Sequence, residues 1–155
     1  MKRSIALITA PLMIFFFIGC NSGNQANSTA DNSATAKKDS AKPDKGLGKF
    51  TSVPLTHPLD TSMIARGTPI YDSRCISCHK LTDEKLVGPG WKGVTDRRTP
   101  EWIMNFITNT NVMLDSDLVA QQLMVTCVAR MPNQNLSDDQ ARAILEFMRK
   151  NDGKK

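Results

Sequence analysis

Cys75-Ile76-Ser77-Cys78-His79 sets two thiols three residues apart, with an imidazole directly after the second. Covalent attachment of a haem requires that arrangement. The thiols add across the two vinyl groups of the porphyrin, and the adjacent histidine is held under the iron, where a ring nitrogen can bind it. Two other uses of a C-x-x-C pair stand beside this one. A zinc site needs two further ligands at matching spacing, and a redox dithiol sits in a strand–helix setting without this histidine.

Downstream lie Gly88-Pro89-Gly90-Trp91-Lys92-Gly93-Val94-Thr95-Asp96-Arg97, then Met131-Pro132, then a short terminal helix. With these, about residues 61 to 152 resemble the class I cytochrome c family. The resemblance implies an all-α domain of four to five short helices wrapped around one covalently bound haem c. It implies thioether attachment at Cys75 and Cys78, with His79 as the iron's first axial ligand. The Pro89 carbonyl would accept a hydrogen bond from the His79 ring, and Arg97 would contact a haem propionate, against a solvated place on the surface. Trp91 stands where the family usually has leucine, and Asp96 where it often has glycine. Trp102 is a candidate to pack on the haem edge or to donate its N–H to a propionate, against an ordinary place in the core.

For the sixth ligand the chain offers Met63, Met104, Met113, Met124, Met131 and Met148, together with His57 and lysines. Methionines at helical spacing usually serve the core. Met131 differs because Pro132 follows it between two helices, and Met-Pro is where the family places its axial thioether. A vacant position and His57 are the alternatives.

The chain opens with an export signal. Lys2 and Arg3 precede an apolar run from Ile5 to Ile18, at about 14 residues short of the roughly 20 that a membrane-spanning helix needs. It ends in Phe17-Ile18-Gly19-Cys20, which resembles the lipobox of bacterial lipoproteins, with Phe17 in place of the usual leucine. Residues 1–19 are therefore expected as a lipoprotein signal peptide and Cys20 as the lipidated residue. The alternative is an ordinary signal peptide with an incidental cysteine. Residues 20–60 are expected as linker, rich in Asn, Ser, Ala, Thr, Lys and Asp up to Lys45 and without hydrophobic periodicity. As a coil, about 40 residues span roughly 35 Å. Val53-Pro54 and His57-Pro58 should stiffen its end and lie along the domain.

Helical signals begin past residue 60. Thr61 or Ser62 offers a cap, but Pro69 would break a helix interior. The simplest resolution makes Thr68 the cap and Pro69 the first residue of a helix running to about Cys78. Gly67 and Tyr71 match family positions that cross the C-terminal helix, so a kink is expected there. Thr99-Pro100-Glu101 starts a second helix with Trp102, Ile103, Phe106 and Ile107 on one face. Asp115 or Ser116 opens a third through Leu118, Val119, Leu123 and Cys127. Ser137-Asp138-Asp139-Gln140 reads as a capping box before Ala141, Ile144, Leu145 and Met148. No segment reads as a strand. A domain of roughly 90 residues buries too little by itself, so the haem must supply part of its core.

The formal charge is +5 for the whole chain, while residues 61–155 hold 13 basic against 11 acidic side chains, or +2. That is no nucleic-acid footprint. The four cysteines divide into one for lipid, two for haem and Cys127, read as a small core residue.

These expectations describe an exported, lipid-anchored monohaem protein on the periplasmic side of a bacterial membrane. It would carry single electrons from a quinol-oxidising complex or a cytochrome to a terminal reductase or oxidase, and would not be an enzyme. The stretch from Gly90-Trp91 through Met131-Pro132-Asn133-Gln134-Asn135-Leu136 is similar to cytochromes that accompany nitrous-oxide reductase. The competing readings are a haem sensor or peroxidase-like enzyme with an exchangeable sixth ligand, and a permanent subunit of a larger complex.

Overall fold

The structure, a computed structural model, describes residues 44–155. The expected signal peptide, Cys20 and the linker to residue 43 lie outside the described residues. Among those described there are six helices and no strand: α1 (Thr61–Arg74), α2 (Val94–Arg97), α3 (Pro100–Thr108), α4 (Thr110–Ser116), α5 (Leu118–Thr126) and α6 (Asp138–Asn151). The count exceeds four to five because α2 is a single turn and Asp117 divides α4 from α5.

The framework is the crossing of α1 on α6. A Cβ at Gly67 would stand 2.4 Å from the Ala143 carbonyl oxygen, so only glycine lets the two backbones meet. Tyr71 seals the same crossing, stacked on Phe147 with ring centroids 5.2 Å apart. Its hydroxyl donates to the His79 carbonyl (2.8 Å), which ties the crossing to the haem-attachment motif.

Helix α1 departs from the expected boundaries at both ends. It begins at Thr61, capped by Asp60, whose Oδ1 accepts the Met63 N–H (2.9 Å). Pro69 lies inside the helix, and Cys75 is the residue after its end. A proline there costs about 3 kcal/mol. The seat of Gly67 on α6, two residues earlier, holds the helical path through it. Two expected caps are present in full. Thr99 Oγ1 accepts the Trp102 N–H (3.1 Å), and Ser137 and Gln140 form the reciprocal capping box of α6. Asp117, rather than Asp115 or Ser116, caps α5.

Residues 44–60 are part of the folded unit, which starts before the boundary expected at residue 61. Val53 packs against the core, and the backbone of this strap is held by side chains distant in sequence. Buried Asn105 on α3 accepts the Phe50 N–H (2.9 Å) and donates to the carbonyls of Lys45 and Phe50. Glu101 accepts the Val53 N–H (3.1 Å). Arg142 and Arg149 on α6 donate to the carbonyls of Pro54 and Thr56.

Those two arginines converge on Glu146, whose side chain is 0% exposed. Arg142 reaches it at 2.6 Å and Arg149 at 2.8 and 2.9 Å, and the Asp60 N–H adds a fourth bond. Burial pushes the Glu146 carboxyl up, and the bonds from Arg142 and Arg149 outweigh it, so its pKa lies below the ordinary value. A carboxylate lowered on folding stabilises the protein fully above its unfolded pKa, and that stability is lost as pH falls through the folded one. Removing one partner of a buried pair costs about 3–5 kcal/mol. Glu146→Gln should therefore lower stability at neutral pH by an amount of that order, with the gap to wild type closing in acid. Urea midpoints measured across pH check this; a gap independent of pH would deny the ionised triad.

Candidate functional site

The turn after α1 aims the motif. The N–H groups of Cys78 and His79 both return to the Cys75 carbonyl (3.0 and 2.8 Å), which coils the pentapeptide so that Cys75, Cys78 and His79 line one cavity. Burial pushes the Cys75 thiol up to about 11, with the Arg74 charge opposing it and Cys78 adding to it.

Pro89 is where the sequence placed it in the site. Its carbonyl can only accept, so the 2.8 Å contact with His79 Nδ1 puts the ring proton on Nδ1 and leaves Nε2 free to ligate. Burial lowers the His79 pKa and the Pro89 bond partly opposes it, so the site disfavours the charged ring. A Cβ at Gly88 would sit 2.5 Å from His79 Cε1, so the ring fills the space that a side chain would take. Trp91 packs on the imidazole with centroids 5.6 Å apart.

The segment carrying Met131 forms another part of the wall, as do Leu123, Met124 and Cys127 of α5 and its cap. Two hydrogen bonds sew this wall to the histidine loop: Lys85 Nζ to the Thr126 carbonyl (2.9 Å) and the Val128 N–H to the Val87 carbonyl (3.0 Å). Leu114, Ile103, Ile107, Ile144 and Met148 complete an apolar interior.

Every sequence-assigned haem residue within the described part, namely Cys75, Cys78, His79, Pro89, Arg97, Trp102 and Met131, lines this single cavity. Of the other candidate ligands, Met124 and Met148 also line it. Met63, Met104, Met113 and His57 do not. His57 is instead in contact with the Lys155 carbonyl through Nδ1 (2.9 Å), and Met113 is fully buried with its sulfur accepting the Leu47 N–H. Trp102 lines the cavity, stacked on Phe106, but its N–H donates to Asp117 (3.3 Å) and is not free for a propionate. The Arg97 guanidinium donates to the Lys92 carbonyl (2.6 Å) at the cavity rim.

Sequence reasoning missed Arg98, which lines the same cavity and lies over the Trp102 ring at 5.1 Å. The Arg97-Arg98 pair was the available signal. Arg74 and Arg130 are also at the wall, and among the described residues no Asp or Glu lines it. An apolar slot lined by a thiol pair, an imidazole with a free nitrogen, a thioether and four arginines suits an iron porphyrin with two carboxylates. Among the described residues, no cluster of three or more His, Cys, Asp or Glu side chains is placed to hold a metal ion, so the zinc reading lacks its ligands.

The comparisons with known proteins agree with the cavity. A family model described as Cytochrome c matches residues 64–152. A solved cytochrome c from Rhodothermus marinus is 36% identical, with a TM-score of 0.65, covering 68% of this chain and 90% of its own. An engineered cytochrome c from the same organism, Rma TDE, is 35% identical with a TM-score of 0.65, over 68% of this chain and 91% of that one. The same engineered protein bound to a carbene intermediate (1-ethoxy-1-oxopropan-2-ylidene) is 35% identical with a TM-score of 0.62, at the same coverage. None of the curated proteins matches the chain.

Proposed function

The chain belongs to the cytochrome c family, an electron-carrying haem protein with covalently bound haem c, and from that premise we propose a membrane-tethered monohaem carrier whose iron is closed on both sides. One observation carries the reading: His79, with its Nδ1 proton fixed on Pro89, and Met131 line the same apolar cavity as the two thiols. Cys75 and Cys78 would hold the porphyrin, and His79 and Met131 would ligate its iron. The haem supplies a one-electron ferric/ferrous couple.

The chain's own groups set the terms of that couple. The Pro89 bond fixes the imidazole and raises its basicity as a ligand. The Met131 sulfur is a soft donor that favours ferrous iron and raises the potential. Arg97 and Arg98 offer N–H groups to the propionates, and the apolar walls keep water away. With both iron ligands supplied by the chain there would be no place for a substrate at the metal, which would leave electron transfer as the use of the site.

Lipid on Cys20 would hold the protein at the periplasmic side of a membrane, where its donor is a quinol-oxidising complex or a cytochrome and its acceptor a terminal reductase or oxidase. Nitrous-oxide reductase is the specific acceptor that the Gly90–Leu136 stretch suggests. The linker expected ahead of the folded part would tether the carrier at high effective concentration beside membrane partners.

A second reading opens the sixth position and makes the protein a sensor or peroxidase-like enzyme. The engineered relative bound to a carbene intermediate favours it. The haem-loaded wild type should titrate as one reversible one-electron couple and refuse carbon monoxide. Ready binding of carbon monoxide would put the second reading in its place. In cells, wild-type protein should partition into detergent, while Cys20→Ser should be released in soluble form or stay as uncleaved precursor. A wholly soluble wild type would remove the tether.

A further inference from the structure

A second, smaller cavity shares a wall with the first: Arg98 and Ile103 line both. Its volume is about 210 Å³, many times the roughly 10–15 Å³ that one water molecule takes. The lining divides by chemistry. Leu55, Pro100, Ile103 and Leu145 are apolar, and Arg98, Arg149, Lys154 and His57 are basic. Among the described residues no Asp or Glu lines it. Two of the cations are answered from nearby, Lys154 by Asp96 and Arg149 by Glu146. Even there a positive charge is left over, because Arg142 pairs with the same Glu146. Arg98 has no carboxylate partner among the described residues. Its guanidinium lies over the Trp102 ring at 5.1 Å and donates to the Arg97 carbonyl (3.2 Å).

We propose that this second cavity binds a small carboxylate with a short apolar body, and that its occupancy lowers the reduction potential through Arg98. The binding follows from the lining alone, and the effect on potential rests on the carrier reading above. A planar guanidinium without a partner is matched by a carboxylate, which can take two parallel N–H bonds from it. An inorganic oxyanion would leave the apolar half of the lining unused, and a neutral apolar molecule would leave Arg98 unanswered. The coupling is electrostatic. Arg98 stands in the wall common to both cavities, so its charge favours the ferrous state, which is less positive by one unit. A carboxylate drawn to the same guanidinium offsets that charge, favours ferric iron and lowers the potential. By linkage, ferric protein must then bind the carboxylate more tightly than ferrous protein does.

The probe is butyrate, titrated into haem-loaded full-length protein. The amide NMR signals of Thr95 and Leu145 should shift and saturate. At saturation the potential should fall by about 30 mV, a roughly threefold preference for the ferric state at about 59 mV per decade. Neither 1-butanol nor sulfate at the same concentration should do this. Leu55 on the strap is 36% exposed, so Leu55→Trp can fill the cavity from outside. That variant should lose both responses and keep the wild-type potential without butyrate. Arg98→Met should lose the response in potential, whereas Lys49→Gln, at an exposed lysine outside the cavity, should respond as wild type does. The inference is overturned if butyrate shifts neither amide signal, if sulfate acts as strongly, or if Leu55→Trp responds like wild type. An unchanged potential at saturating butyrate, or a full response from Arg98→Met, overturns the coupling. Ready binding of carbon monoxide by wild-type protein would count against the carrier reading instead, and the amide shifts would still decide the site.

Discussion

Cys78→Ala protein should leave the cell with little haem, at most a single-linkage product, while Cys127→Ala should keep the wild-type content. Both sulfurs line the cavity, so proximity to the cofactor does not separate them. Position within the chain does. Cys78 shares one turn with Cys75, and its neighbour His79 is fixed on Pro89, so two linkages and an axial bond form on one rigid unit. Cys127 ends α5, its thiol donating to the Leu123 carbonyl (3.2 Å). Losing a linkage also costs stability. Without the porphyrin, Leu114, Leu123 and Ile144 would face an empty slot, in a domain with little other core to spare. Pyridine haemochrome spectra measure the haem and circular dichroism melts the stability. Loss of haem from Cys127→Ala would show that the cysteine roles are misassigned.

What was legible in the sequence was what short-range chemistry dictates. The attachment motif must be local because one porphyrin spans both thiols. Thr99 and Ser137 were readable because a cap bonds an N–H two or three residues away. The start of α1 was not readable. Pro69 argued against an interior position, and the opposing contact, Gly67 on Ala143, joins residues 76 apart. The strap from residue 44 to 60 shows no periodicity because its backbone is satisfied by Asn105, Glu101, Arg142 and Arg149, far along the chain. The Trp102 N–H likewise went to Asp117, a partner chosen by the turn between α4 and α5.

Met131→Ala should lower the reduction potential and open the iron to carbon monoxide and cyanide. Axial ligands set haem potentials over roughly 0.8 V, so the loss of a thioether should move the couple by on the order of 0.1 V. Met131→His should keep a low-spin iron but also lower the potential, since imidazole is the harder donor. The structure sharpens the controls. Met113 is fully buried away from the cavity, its sulfur engaged by the Leu47 N–H, so Met113→Leu should cost stability alone. Met124 is the demanding comparison because it also lines the cavity, from within α5. A helical methionine beside Leu123 packs against the porphyrin, whereas Met131 sits outside any helix, followed by Pro132, where the backbone is free to bring its sulfur to the iron. Redox titration and ligand-binding spectra of the four variants decide between them. Should Met124→Leu open the iron while Met131→Ala titrates like wild type, the axial thioether belongs to α5.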